Sequence, residues 1–218
     1  MAEITRESPI SSAEALPLDD RLYKLADAEL EFLKATVDQD ENSIRERVLT
    51  VQRNKEYPYP CIWAFHFVDL QMSQNPAYSM GTDVRKLALD GYPASNIVGC
   101  DLHAAYINLG HELYQDSNEK CPIWFIADDM FDIPLDNTNI EVEHKDLSDI
   151  TTLSQLIGRV KYLYIGAVFH LFNESTQLAI AQRLARLVSR EKGVVIFGRH
   201  QGSETPSVVS DNVWRYIS

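Results

Sequence analysis

The apolar positions in the first part of the chain recur at helical spacing. In the stretch DDRLYKLADAELEFLKATV, four leucines and a valine recur mostly every three or four residues, and two acids stand at its start, where the helix dipole favours them. A second stretch, ENSIRERVLTVQRNKEY, places Ile44, Val48 and Val51 at i, i+4 and i+7. The pattern predicts two helices, which form an N-terminal helical cap over residues 1–60.

Beyond residue 95, short apolar runs alternate with helical stretches. The strand-like runs are NIVGCDL, CPIWFIA, VKYLYIGAVFHL and GVVIFG, and the helical stretches between them are HAAYINLGHELYQD, LSDITTLSQLI and ESTQLAIAQRLARLVSR. Repeated strand-helix order is typical of a parallel sheet with helices on both faces, and ligands of such sheets bind at the carboxyl ends of the strands. We therefore expect an α/β domain over residues 61–218.

Charge and composition narrow the classes of ligand and the cellular location. The chain of 218 residues has a net charge of -12, which disfavours nucleic acid and anionic membranes and leaves small neutral or weakly charged ligands. It contains no apolar run near 18 residues, and MAEITRESPI does not resemble a secretory leader, so a cytoplasmic location is expected. Because Cys61, Cys100 and Cys121 lack C-x-x-C spacing, we expect buried reduced thiols.

Several partial motifs lack the residues that their chemistry needs. The stretch DQDENSIRERVL begins like a calcium loop, but Ser43 occupies the glycine position and Leu49 that of the bidentate glutamate. It is predicted instead to be an acidic helix-capping loop. The six histidines form no i, i+4 pair, so a metal site is not expected. The chain also has no G-x-S-x-G, G-x-x-x-x-G-K-[ST] or G-x-G-x-x-G motif.

Polar residues at the ends of the predicted strands are the candidate site. Asp101 closes NIVGCDL, where an acid can bind the hydroxyls of a ribose or cap the next helix, and the two roles are compatible. Asp129 follows the next strand and is interpreted either as a ligand of the adenine amine or as a solvated loop acid. The run GAVFHLFN brings Gly166, His170 and Phe172 near the cleft. His170 is a weak candidate for a base, because a lone histidine in an apolar run more often has a core or capping role.

Five stretches together resemble fungal S-adenosylmethionine-dependent methyltransferases of meroterpenoid and polyketide biosynthetic clusters. They are YPYPCIWAFHFVDLQMSQNPAY, GTDVRKLALDGYPASNIVGCDL, INLGHELYQD, FIADDMFD and GAVFHLFNESTQ, and the similarity extends from about Leu16 to about Pro206. The resemblance implies a Rossmann-like class I methyltransferase-type parallel sheet and S-adenosylmethionine as cofactor. The cofactor-binding residues that it implies are Gly81, Asp101, Leu102, Asp129, Met130 and Gly166.

The resemblance implies methyl transfer to an oxygen or carboxylate of a small metabolite. The alternative is a methyltransferase-fold protein that no longer binds the methyl donor and acts as an isomerase or cyclase, or only as a binding partner.

The chain departs from the family pattern at the centre of the expected sheet. The segment NPAYS continues directly into MGTDVRKL, where the family has its first strand and most of its glycine loop, and Ser79 and Met80 stand where glycine is expected. The last two strands of the family's sheet are also missing from the pattern, so the sheet is expected to be incomplete.

Loss of a central strand leaves unpaired backbone groups that cost about 1 to 3 kcal/mol each when buried. The run CIWAFHFVDL is either a helix, as the resemblance favours, or a strand that supplies the pairing. If it is a helix, the flanking strands must pair directly or the sheet must split. Apolar surface left exposed by the missing strands favours a homo-oligomer.

Overall fold

The chain forms two compact units, each with its own pair of parallel strands. The structure is a computed structural model that describes residues 19–54, 65–68, 70, 80–117, 122–136, 146–166, 168–169 and 172–199. The N-terminal unit contains Ala15–Asp128 and Glu143–Thr152, and the C-terminal unit contains Met1–Glu14, Asp129–Val142 and Leu153–Ser218. Both units combine helices with strands, so the fold is mixed α/β.

Two helices open the N-terminal unit, as the apolar pattern predicts, but the first is shorter than predicted. Helix α1 spans Asp27–Thr36, and helix α2 spans Glu41–Gln52. The residues before α1 form a separate 3-10 helix over Asp20–Leu22, because Asp19 accepts a hydrogen bond from the Arg21 backbone and the chain becomes extended at Tyr23. The first predicted helix is therefore two elements.

The acidic stretch before α2 has the predicted capping role. The Asp40 carboxylate accepts a hydrogen bond of 2.8 Å from the Ser43 backbone N–H, which is one of the unpaired donors at the start of the helix. Asp38 in turn accepts a bond of 3.0 Å from the Asp40 backbone. Both carboxylates therefore accept hydrogen bonds from backbone N–H groups.

The core of the N-terminal unit lies among helices. Helix α4 spans Ala104–Tyr114 and packs with α1 and α2 around one apolar cluster. The members of this cluster are Phe32, Leu33, Ile44, Val48, Leu49, Val51, Phe65, Phe67, Val68, Leu70, Met80, Tyr106, Leu109, Leu113 and Tyr114. The N-terminal helices are therefore an integral part of this unit's core. The predicted division of the chain at residue 60 stays a prediction.

The ambiguous run CIWAFHFVDL contains a short helix in its described part. Residues His66–Val68 form a 3-10 helix, and Phe65 and Phe67 are buried in the core. Phe65 has a φ of 61°, a left-handed conformation that is uncommon for a bulky residue. No strand occurs at residues 65–68, so in this part of the run the helical alternative is correct.

The parallel pair of the N-terminal unit follows helix α3, which spans Thr82–Leu89. Strand β1 is Val98–Asp101 and strand β2 is Trp124–Ala127, with Asp101 opposite Ala127. A smaller apolar cluster connects α3 to these strands. Its buried members are Ile97 and Ile123, and the partly buried side chains packed against it are Val84, Leu87, Ala88, Ala94 and Phe125.

The C-terminal unit carries the second parallel pair. Strand β3 is Tyr162–Gly166, strand β4 is Val195–Arg199, and helix α5 between them spans Glu174–Leu187. The stretch LSDITTLSQLI, predicted as a helix, instead forms a 3-10 helix over Leu147–Asp149 in the N-terminal unit and another over Leu153–Leu156 in the C-terminal unit. Serine and threonine within it compete for backbone hydrogen bonds and disfavour a continuous α-helix.

The described strands therefore pair as two two-stranded sheets, β1 with β2 and β3 with β4. The predicted parallel strand-helix order is observed, whereas a complete Rossmann-like sheet is not observed among the described residues. Among the described residues, no helix has the length and apolar character needed to cross a membrane.

We expect Leu33→Ala to destabilise the N-terminal unit by about 2 to 5 kcal/mol, because the side chain is fully buried between helices and its loss leaves a cavity. The matched control is Leu22→Ala, since Leu22 is 49% exposed, and its expected cost is below about 1 kcal/mol. Urea unfolding followed by circular dichroism measures both. Equal costs would show that α1 does not contribute to the core.

Candidate functional site

Asp101 lies at the carboxyl end of β1, where the sequence pattern placed it. Its Oδ1 accepts a hydrogen bond of 2.9 Å from the His103 backbone N–H. His103 occupies the N-cap position of α4 and makes no side-chain cap hydrogen bond, so the alternative in which Asp101 is the N-cap residue is wrong. Burial raises the pKa of the Asp101 carboxyl, and the hydrogen bond from His103 opposes this only in part. The neighbouring Leu102 side chain is exposed.

Three of the predicted cofactor ligands, Asp129, Met130 and Gly166, lie in the C-terminal unit. Asp129 caps a 3-10 helix over Met130–Asp132 by accepting a bond of 2.8 Å from the Phe131 backbone. Gly166 is the last residue of β3, and a Cβ there would lie 2.5 Å from the Tyr164 hydroxyl oxygen. Asp129 therefore has a defined local role, and its proposed contact with adenine stays a prediction.

Two candidates of the GAVFHLFN run remain, His170 and Phe172, and the structure describes only Phe172. His170, the weak candidate for a base, lies outside the described residues. The ring of Phe172 packs edge-on against that of Phe131, with 6.2 Å between centroids.

Gly81 begins helix α3 in a conformation that only glycine adopts readily. Its φ of 80° and ψ of 20° lie in the left-handed region. A Cβ at this position would lie 2.5 Å from Arg85 Nη1 and 2.8 Å from Phe125 Cε1. In a glycine loop the absence of a side chain leaves room for a ligand. Here the guanidinium of Arg85 and the ring of Phe125 fill that room.

Arg85 is the centre of a buried polar cluster. Its Nε lies 2.7 Å from Asp116 Oδ2 and its Nη2 lies 2.9 Å from Asp116 Oδ1, which is a bidentate ion pair. Nη1 donates to the carbonyls of Met80 at 3.0 Å and Gly81 at 3.2 Å. The guanidinium also lies over two aromatic rings, 4.5 Å from the Tyr114 centroid and 4.9 Å from that of Phe125.

His111 completes this cluster on the side of the carboxylate. Its Nδ1 lies 2.6 Å from Asp116 Oδ1, a distance that requires a proton on Nδ1 directed at the carboxylate. Burial alone would raise the pKa of Asp116, but the hydrogen bonds and charge of Arg85, with a smaller contribution from His111, lower it below its ordinary value. Asp116 is therefore held as a carboxylate.

A second set of hydrogen bonds fixes the start of α3 against the core. The Thr82 hydroxyl donates to the Phe67 carbonyl at 2.7 Å and lies 2.7 Å from the Tyr114 hydroxyl. Because Thr82 has one proton to donate, Tyr114 is the donor to Thr82 in that arrangement. Burial raises the pKa of Tyr114 well above its ordinary value, so it remains a neutral phenol.

The sequence interpretation missed this cluster. Arg85 lies four residues after Gly81, and His111 and Asp116 belong to a stretch interpreted only as a helix. The structure shows what the sequence pattern does not, namely that the buried residues of α3 are Thr82, Asp83 and Arg85, all of them polar. A helix that buries polar side chains needs partners for them, and here the buried side chains of α3 find those partners in one polar cluster.

Neither a metal nor a disulfide is indicated in the described part of the chain. No group of three or more histidine, cysteine, aspartate or glutamate side chains there has an arrangement that could hold a metal ion. The side chain of Cys100 is exposed, so the expectation of burial is wrong for this residue. It alternates with the buried Gly99 along β1, which turns Cys100 to the opposite face of the strand. Cys61 and Cys121 lie outside the described residues.

Curated homologues of the chain are fungal methyltransferases of secondary-metabolite clusters. The Asnovolin E/Chermesin D methyltransferase nvfJ of Aspergillus novofumigatus is 35% identical over 162 residues, which cover 66% of this chain and 52% of the relative. O-methyltransferase atr3 of Stereocaulon alpinum is 30% identical over 180 residues, covering 74% of this chain and 46% of the relative. Methyltransferase ausD of Penicillium brasilianum is 27% identical over 176 residues, covering 72% and 56%.

These relatives confirm the resemblance to fungal methyltransferases of secondary metabolism. The chain spans about half the length of the curated relatives that it matches. No protein-family model matches the chain. No solved structure matches it either.

We expect Asp116→Asn to destabilise the protein at pH 7 by about 1 to 3 kcal/mol, less than the loss of a fully buried pair, because the carboxylate is 18% exposed. Since the folded-state pKa of Asp116 is lowered, its contribution is present above the unfolded value of about 3.9 and is lost as the pH falls through the folded value. The difference between wild type and variant should therefore shrink below about pH 4.

The matched control for this variant is Asp90→Asn, which breaks an exposed ion pair with Lys86 and should cost below about 1 kcal/mol. Urea unfolding at pH 7 and pH 3 measures both variants. If Asp116→Asn costs no more than the control at pH 7, the Arg85 cluster does not stabilise the fold.

Proposed function

We propose that the chain is a methyltransferase-like protein of fungal secondary metabolism that uses S-adenosylmethionine to methylate an oxygen or carboxylate of a small metabolite. The observation that carries this proposal is the Asp101 carboxylate at the carboxyl end of β1, the end of a parallel strand where ligands bind. The names of the relatives support the reaction class. The substrates that those names mention are substrates of the relatives and are not assigned to this chain.

The ribose end of the donor fits the residues present. One Asp101 oxygen accepts the His103 N–H, and a carboxylate offers about four acceptor positions, so acceptor sites remain for two ribose hydroxyls. The exposed Leu102 is adjacent and is assigned to the same subsite. Asp129, Met130 and Gly166 belong to the C-terminal unit, and their roles in cofactor binding stay predictions from the resemblance.

When bound, S-adenosylmethionine would supply an electrophilic methyl group. The protein's part is then to align an acceptor with that methyl, and a carboxylate acceptor needs no base because it is already anionic. A hydroxyl acceptor would need one, for which His170 remains the weak candidate. No described residue is assigned to catalysis.

The part of S-adenosylmethionine that would lie against the glycine loop does not fit the conformation observed at Gly81. Arg85 and Phe125 fill the space beside Gly81, and Arg85 is fixed there by the Asp116 ion pair. This observation favours a second function, in which the fold no longer binds the methyl donor. The chain would then act as an isomerase or cyclase on a metabolite, or as a binding partner.

Calorimetric titration separates these two functions. Because the space at Gly81 is filled, we expect S-adenosylmethionine to bind more weakly than about 100 micromolar. Adenosine needs only the ribose and base contacts, so we expect it to bind with similar weakness. If neither ligand releases heat at millimolar concentration, the second function is supported. Low-micromolar binding of S-adenosylmethionine would contradict the inferred block at Gly81.

Substitution of Asp101 tests the ribose contact. We expect Asp101→Ala to lower the affinity for adenosine by about tenfold or more, since hydrogen bonds to a charged group contribute about 1.5 to 3 kcal/mol each. The matched control is Asp149→Ala, an exposed acid whose loss should leave binding unchanged. Equal affinities in the two variants would remove Asp101 from the site.

The stability of Asp101→Asn provides an independent measurement. Because burial raises the pKa of Asp101 in the folded state, the folded protein holds its proton more tightly than the unfolded chain does. Stability from this group is therefore lost as the pH rises through the folded pKa. We expect Asp101→Asn, which keeps an acceptor for His103, to be at least as stable as wild type at pH 7 in urea unfolding. A clear destabilisation would assign Asp101 a structural role.

A further inference from the structure

Three hydrogen-bond donors converge on the Asp116 carboxylate. Arg85 supplies two of them, since its Nε lies 2.7 Å from Oδ2 and its Nη2 lies 2.9 Å from Oδ1. His111 supplies the third through Nδ1, which lies 2.6 Å from Oδ1. A guanidinium fork matches the two oxygens of a carboxylate, so this arrangement suits a carboxylate whichever molecule carries it.

Arg85 is held in place by contacts that do not involve Asp116. Its Nη1 donates to the carbonyls of Met80 at 3.0 Å and Gly81 at 3.2 Å. The guanidinium also lies over two aromatic rings, with 4.5 and 4.9 Å to their centroids. The fork formed by Nε and Nη2 therefore has a fixed direction of its own.

His111 has an independent contact as well. Its ring packs edge-on against that of Phe125, with 5.2 Å between centroids. Both side chains that donate to the carboxylate are thus positioned by other parts of the N-terminal unit. A site whose donors are already in place binds its ligand with less loss of side-chain entropy.

The carboxylate is the more accessible partner of the ion pair. The side chain of Arg85 is 5% exposed, whereas that of Asp116 is 18% exposed. Exchange of the carboxylate therefore needs less rearrangement than release of the guanidinium. Because removal of the carboxylate leaves a buried guanidinium charge unpaired, its position favours replacement by another carboxylate.

We propose that Arg85 and His111 form a binding site for a small-molecule carboxylate, and that Asp116 occupies this site in the observed conformation. The site adjoins Gly81, because Arg85 Nη1 is the atom nearest to a Cβ built there. The carboxylate belongs either to the amino-acid part of the methyl donor, an assignment that rests on the proposed function, or to the metabolite. Since Asp116 competes with it, the ligand binds with reduced apparent affinity.

Replacement of the internal carboxylate by formate tests the proposal. Asp116→Ala removes a carboxylate and leaves a space that a formate ion matches. Sodium formate at about 200 mM should raise the thermal unfolding midpoint of Asp116→Ala by about 2 °C or more above that in the same concentration of NaCl, because a ligand of the folded state stabilises it. Circular dichroism measures the midpoints.

The controls separate this site from a general salt effect. Asp90→Ala removes an exposed carboxylate that pairs with Lys86, and it should show no excess effect of formate. Wild type should show none because Asp116 already occupies the site. The double variant Arg85→Met with Asp116→Ala lacks the fork and should also show none. An equal formate effect in Asp116→Ala and Asp90→Ala overturns the proposal.

Loss of folding in the variant does not prevent the measurement. If Asp116→Ala is unfolded in NaCl, recovery of its circular dichroism spectrum in formate is the expected result. Asp116→Ser replaces it if neither salt restores the fold.

Titration with two forms of the methyl donor identifies the molecule that carries the carboxylate. S-adenosylmethionine and its decarboxylated analogue share the sulfonium and the amine and differ in the carboxylate. If the donor supplies it, the affinity ratio in favour of S-adenosylmethionine should be at least about tenfold larger in Asp116→Ala than in wild type, because charge-assisted hydrogen bonds replace an unpaired charge. An equal ratio in the two proteins assigns the carboxylate to the metabolite.

Failure of the proposed function has a different signature from failure of this inference. If neither form of the donor binds wild type or Asp116→Ala at millimolar concentration while formate still stabilises the variant, the proposed function is wrong and the carboxylate site remains. If formate has no excess effect on the variant, the inference is overturned, whatever the two forms of the donor do.

Discussion

The ion pair between Arg85 and Asp116 connects the parts of the N-terminal unit that carry the candidate site. Arg85 belongs to α3, Asp116 follows α4, and the same guanidinium binds the carbonyls of Met80 and Gly81. A buried charge is stable only where carboxylates and carbonyls surround it, and its removal leaves the partner unpaired. The position of α3 relative to α4 therefore depends on this side chain together with the hydrogen bond between Thr82 and Tyr114. The ring of Phe125 brings β2 into the same contact.

Much of the fold could be predicted from apolar spacing, because long periodic stretches specify their elements. The spacing of Ile44, Val48 and Val51 predicted α2, and all three residues are buried in the core. The runs NIVGCDL and GVVIFG became β1 and β4. The stretch LSDITTLSQLI failed because local hydrogen bonding by serine and threonine determines short turns that hydrophobic periodicity does not encode.

The site was harder to predict than the fold. Asp101 could be placed at a strand end, because strand order alone determines which residues lie at the carboxyl edge. The Arg85 cluster joins residues 80 to 125, and no spacing rule connects positions so far apart in the chain. The filling of the space beside Gly81 could not be predicted either. It depends on the side chains of Arg85 and Phe125 entering that space, which a sequence motif cannot show.

The location of the core has a consequence for how this chain tolerates change. In the N-terminal unit the large apolar cluster lies between α1, α2 and α4, and the strands contribute only the small cluster around Ile97 and Ile123. The apolar burial that stabilises this unit is therefore concentrated in helix packing. Loss of an apolar side chain should on that account cost more stability in the helices than along β1 and β2.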